Sequence, residues 1–202
     1  MSNFTYEYHT TSRTLETFEW DSTWHEHTED LTTPRVLYLG DSISHATRKS
    51  LNTLAEGRIL FDGIASSKAI DHPCYDETVL LFAKQQPHRA HILFNNGLHG
   101  FHLSRKAYAE HYAKRIEFLR SQFPEAKLTL LLTTAVADAE QDACVQERNA
   151  AVLRLAEQYS LPVIDLYSVS KTCTELRLED GVHWQAEGYL RLASTILSEL
   201  SL

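Results

Sequence analysis

The chain has 202 residues, 43% of them hydrophobic and 23% charged, with 27 acidic against 19 basic side chains and a formal charge of −8. A length near 200 suits one domain with a substantial core. Ordinary apolar and charged fractions exclude global disorder, and the acidic balance argues against binding to a nucleic-acid phosphate backbone.

Residues 1–33 are rich in Thr, Glu and aromatics, with Phe4, Tyr6, Tyr8, Phe18, Trp20 and Trp24 following no clear period. The segment lacks the apolar stretch of a secretory leader. It reads as an N-terminal arm or lid, packed on the body or on a second subunit of a homo-oligomer. Residues 34–202 read as one domain without internal repeats. There, short apolar runs at 36–39, 59–61, 92–94, 128–132 and 163–166 are each followed by turn chemistry, the pattern of strands buried on both faces. Ser104 caps an expected helix that puts Tyr108, Tyr112, Ile116 and Leu119 on one face before Pro124. A second helix is expected over 142–159, with Val145, Val152, Leu155 and Tyr159 inward. A last helix carries Tyr189, Leu192, Ile196, Leu197 and Leu200. Strands alternating with helices predict an α/β, doubly wound three-layer sandwich on a five-stranded parallel sheet.

No run approaches the ~18–20 apolar residues of a membrane span, so no membrane partner is expected. Cys74, Cys144 and Cys173 are odd in number and form no Cys-x-x-Cys pair, which fits reduced thiols and a cytoplasmic location. The 11 histidines raise a metal question. His25 and His27 read as an exposed polar pair with no third ligand nearby in sequence. A zinc site from His99, His102 and His183 is the sharper alternative. The expectation is no metal and no cofactor.

In open parallel sheets, ligands bind beyond the carboxyl ends of the strands. After the first run comes Gly40-Asp41-Ser42, and Ser42 reads either as a helix N-cap or as a hydroxyl presented to the crevice beside helix amides. Before the last helix comes Asp180-Gly181-Val182-His183. Read alone, it is an Asp N-cap with an exposed His. Read with Ser42, it supplies a base and the group that orients it. Lys68 and Arg48, near the crevice, are candidates to meet an acidic group of a substrate.

Gly40-Asp41-Ser42 within LYLGDSIS, together with Asp180-Gly-Val-His183, resembles the SGNH (GDSL) hydrolase superfamily over roughly residues 35–200. Arg148-Asn149 and the stretch Pro162-Val-Ile-Asp165-Leu are similar to the same family's body. The resemblance implies a flavodoxin-like sandwich and a serine esterase acting without a metal on a small-molecule ester, such as an acylated alcohol or carbohydrate. It makes Ser42 the nucleophile, His183 the general base and then acid, and Asp180 the residue that holds His183. It also implies three oxyanion donors. The Ser42 amide is the first, and an amide at Gly63 or Ser66 is the second. The third is a side chain after the third strand, where Asn95-Asn96-Gly97-Leu98-His99 departs from the usual Gly-x-Asn-Asp and resembles an Asn-Gly-Leu-His branch. His99 or Asn96 then stands in for the family's Asn. An acyltransferase or a non-catalytic binding protein on the same scaffold are the alternatives.

Overall fold

The computed structural model describes residues 15, 18–86 and 89–200. Strands β1 (Asp21–Trp24), β2 (Arg35–Gly40), β3 (Leu60–Ser66), β4 (His91–Phe94), β5 (Lys127–Leu131) and β6 (Val163–Ile164) form one sheet in the order β1-β3-β2-β4-β5-β6. All neighbours are parallel except β1, which runs antiparallel to β3 at the edge. The helices are α1 (Ser42–Ala55), α2 (Tyr75–Ala83), α3 (Arg105–Gln122), α4 (Ala139–Tyr159), α5 (Leu166–Lys171) and α6 (Ala186–Glu199), with a single 3-10 turn at Thr174–Leu176.

The apolar runs bury both of their faces, and two cores result. Leu37 and Leu39 of β2 and Ile92 and Phe94 of β4 pack beneath Tyr108, Tyr112, Ile116 and Leu119 of α3 and Val152 and Leu155 of α4. Val36, Tyr38 and Leu93 turn to the other face, under Leu51 of α1 and Leu192 and Ile196 of α6. Alternation within a doubly covered strand therefore produces the three layers.

The sheet has six strands, not the expected five, and it is mixed rather than all parallel. The extra strand is Asp-Ser-Thr-Trp, short, polar and largely exposed. An edge strand needs no continuous apolar run, so its sequence carries no core signal. The described part of residues 1–33 thus contributes to the sheet itself. Its connection to β2 is held by Arg35, buried at the start of that strand, which donates to the carbonyls of Glu26, His27 and Asp30 and to Asp62 Oδ1. Residues 1–14, 16 and 17, also within the expected arm, lie outside the described residues. At the other end the fifth apolar run stops early: Asp165 accepts from the Ser168 amide at 2.9 Å and starts α5. Among the described residues, no helix is long and apolar enough to cross a membrane.

Candidate active site

The first site element is the turn from β2 into α1. Asp41, not Ser42, caps the helix, its Oδ1 accepting from the amides of Ile43 (3.0 Å) and Ser44 (3.4 Å). The N-cap reading of Ser42 therefore does not hold. Its hydroxyl stays available, and its amide remains at the electropositive end of the helix. Gly40 is required by close approach, since a Cβ there would lie 2.7 Å from Cβ and Oγ of Ser44.

The second element precedes α6. Gly181 has φ +79°, a left-handed conformation that glycine adopts without strain, and it folds Asp180 back over the following amides. Oδ1 of Asp180 accepts from Val182 N and His183 N, both at 2.9 Å. Asp180 is not the cap of α6, because Gln185 occupies that position. Oδ2 of Asp180 lies 2.8 Å from His183 Nδ1, and His183 Nε2 lies 2.8 Å from Ser42 Oγ. A proton held on Nδ1 by the carboxylate leaves Nε2 to accept from the serine hydroxyl. Burial acts to raise the Asp180 carboxyl, but the two amides and the imidazole outweigh it and hold it below its ordinary value of 3.8. It is thus an anion near neutrality, suited to stabilise an imidazolium. The three side chains converge from sequence positions 141 residues apart.

The oxyanion candidates fare unequally. Gly63 does not reach the site: it pairs with Tyr38 and Trp24 in the middle of β3, two residues short of Ala65, which stands opposite Gly40 at the end of β2. Its missing side chain makes room for Arg48, whose Cδ would lie 2.6 Å from a Cβ at this position. Ser66, one residue past Ala65, is level with the Asp41–Ser42 turn. Asn96 ties loops together: its side-chain Nδ2 donates to Lys68 O (2.9 Å) and its backbone carbonyl accepts from Tyr108 OH (2.6 Å). Asn95 is likewise structural, donating to Leu131 O and Thr133 Oγ1. His99 is buried in the loop after β4, its ring edge-on to the Trp20 indole at 6.5 Å.

Two residues matter more than their sequence suggested. Arg148 of α4 is buried, and its guanidinium donates to the carbonyls of Gly97 (2.9 Å), His99 (2.7 Å) and Gly100 (2.7 Å) between the rings of Phe101 and Tyr108. Asn149 brackets Thr133, accepting from its amide and donating to its carbonyl. Together they fix the loops after β4 and β5. Their signal was position: both fall on the apolar stripe of a helix, where a polar side chain must find internal acceptors.

The other histidines raised as metal candidates, His25, His27 and His102, lie apart from one another and have other partners. His25 stacks on Phe82 (4.0 Å) near Asp62, His27 is exposed between Glu26 and Glu29, and His102 pairs with Asp71 at 2.9 Å. Among the described residues, no group of three or more His, Cys, Asp or Glu is placed to hold a metal ion. Lys68 pairs with Asp21 of β1 at 2.5 Å.

No family model and no curated protein matches the chain. Solved structures do. A member of the lipolytic protein G-D-S-L family from Veillonella parvula superposes with TM-score 0.68 at 18% identity, over 83% of this chain and 98% of that one. The fold is that of the G-D-S-L hydrolases. A peptidoglycan O-acetyltransferase catalytic domain from Streptococcus pneumoniae, carrying a methylsulfonyl adduct, gives 0.64 at 18% identity, over 82% of this chain and 92% of that one. An acetyl xylan esterase gives 0.62 at 17% identity, over 83% of this chain and all of that one. At such identities the likeness to the G-D-S-L structures establishes architecture, and the chemistry rests on the side chains.

Proposed function

We propose that this chain is a serine esterase of the SGNH (GDSL) superfamily, of the branch with an Asn-Gly-Leu-His third block. The observation that carries the reading is the continuous row Ser42 Oγ, His183 Nε2, His183 Nδ1 and Asp180 Oδ2, with both gaps at 2.8 Å, at the carboxyl ends of the strands. In this reading His183 takes the serine proton as Oγ adds to the ester carbonyl. The Ser42 amide, the Ser66 amide and the His99 ring hold the oxyanion. Imidazolium then returns the proton to the departing alcohol, leaving an acyl-enzyme. Water, deprotonated by the same imidazole, releases the acid. Side chains and amides handle every proton and charge, so the scheme calls for no metal or cofactor.

A short acyl group, acetyl foremost, on a carbohydrate or other alcohol is the substrate class we assign, and the cytoplasm the location. Two structural neighbours, an acetyl xylan esterase and a peptidoglycan O-acetyltransferase, support that class. The acetyltransferase also supports a second reading, transfer of the acyl group to an acceptor alcohol in place of water. Purified protein is expected to release nitrophenol from p-nitrophenyl acetate and butyrate, and acetate from acetylated sugars. Adding a sugar acceptor distinguishes hydrolysis from transfer by the products formed. Inactivity on every ester of such a panel, with the protein folded, removes the esterase reading and favours a binding role.

A further inference from the structure

A second concavity, about 480 Å³, opens between β1 and α1, lined by Trp24, Glu26, Arg48, Lys49, Asn52 and Thr53. It exists because β1 alternates its side chains. Ser22 and Trp24 both turn to α1, where Ser22 Oγ meets His45 Nδ1 at 3.1 Å and the Trp24 ring lies 5.3 Å from the Arg48 guanidinium carbon. Gly63, the partner of Trp24 across the strands, leaves the space through which Arg48 runs. Lys49 lies seven residues after Ser42, so the groove is about 10 Å along the helix from the proposed nucleophile.

The groove has three unusual features together. The Arg48 side chain is only 5% exposed, yet among the described residues its sole ion pair is with Glu26 at 3.5 Å, and its guanidinium makes no hydrogen bond. A buried group with five N–H donors normally finds acceptors. Trp24 is 51% exposed, a large aromatic face left to solvent beside that cation. Lys49, also lining the groove and exposed, has no ion pair among the described residues. Glu26 Oε2 already accepts from Trp24 Nε1 (2.8 Å) and Asn52 Nδ2 (3.1 Å), so the aromatic ring is held in place and the groove keeps a net positive charge.

We propose that this groove binds an acidic saccharide unit, with a uronate carboxylate against Arg48 and Lys49, a pyranose face on Trp24, and ring hydroxyls at Glu26 and Thr53. The carboxylate of Glu26 favours a hydroxylated ligand of single negative charge and disfavours a phosphate dianion, which it would repel. The link to catalysis, a glycan chain reaching from the groove to an ester at Ser42, rests on the esterase reading. The binding itself does not.

Calorimetric titration of the wild-type protein at low salt with trigalacturonate, cellotriose and AMP is the test. Trigalacturonate is expected to bind saturably and at least tenfold tighter than cellotriose or AMP. Trp24→Ala should weaken it at least tenfold and Lys49→Ala at least threefold, while both variants keep p-nitrophenyl acetate turnover within twofold of wild type. No saturable binding at millimolar concentration, unchanged binding in both variants, or tighter binding of AMP overturns the proposal. Absence of ester turnover in the wild type alongside trigalacturonate binding would remove only the esterase reading.

Discussion

Ser42→Ala is expected to lower kcat on p-nitrophenyl acetate by at least about 10⁴-fold while leaving the thermal midpoint within a few degrees. The size follows from the loss of the only group in the row that can form the acyl-enzyme. In triads whose members act as a unit, removing the nucleophile or its base costs as much as removing all three. The fold is spared because Asp41 supplies the helix cap, its Oδ1 accepting from the amides of Ile43 and Ser44. Had Ser42 been the cap, its truncation would cost about 1 kcal/mol of stability instead. Paired measurement of kcat and thermal midpoint therefore distinguishes the two uses of this serine. Full activity in the variant would end the nucleophile assignment.

The largest expected effect on stability belongs to Arg148→Ala. Its guanidinium serves three backbone carbonyls of one loop, at Gly97, His99 and Gly100, and sits between two aromatic rings. Truncation leaves three buried acceptors without their donor and a cavity between Phe101 and Tyr108. Losses of this kind are among the few mechanisms that reach about 3–5 kcal/mol, which for a domain near 200 residues corresponds to a thermal midpoint lower by roughly 10 °C. Activity should fall too, by about 10²-fold, since the loop carries His99 and a displacement near 1 Å has that cost. Urea denaturation and kcat measured on the same preparation check both. A variant of wild-type stability would show that the loop is held by other contacts.

The parts of this fold that were legible in the sequence are those where burial dictates residue type. Strands β2, β4 and β5 need apolar side chains on two faces, and their runs announce them. The edge strand β1 is satisfied by Asp, Ser, Thr and Trp because one of its sides faces solvent, so nothing in that stretch resembles core. The same division runs through the site. Ser42, Asp180 and His183 were legible as a set because the proposed roles of nucleophile, base and orienter call for particular side chains, and two short turns bring them into one hydrogen-bonded row. The proposed oxyanion donors were less legible, since a backbone amide is chosen by register and not by side chain. Gly63 illustrates this: a glycine near a strand end reads as a turn, yet the register places it opposite Tyr38, where its absent side chain admits Arg48. Asn96 was legible as a side-chain donor, but the acceptor its Nδ2 meets, Lys68 O, lies 28 positions away and was not. Arg148 was visible as a residue but not as a clamp, because the carbonyls it holds lie 48 to 51 positions away.

The central claim, that His183 and Asp180 activate Ser42 as a nucleophile, is tested most directly by covalent capture. A fluorophosphonate probe followed by intact-mass measurement and peptide mapping is expected to add one adduct, on the peptide containing Ser42, with labelling abolished in Ser42→Ala and slowed at least a hundredfold in His183→Ala. Labelling at another residue, or none in the folded wild-type protein while a known serine esterase labels fully under the same conditions, would contradict it.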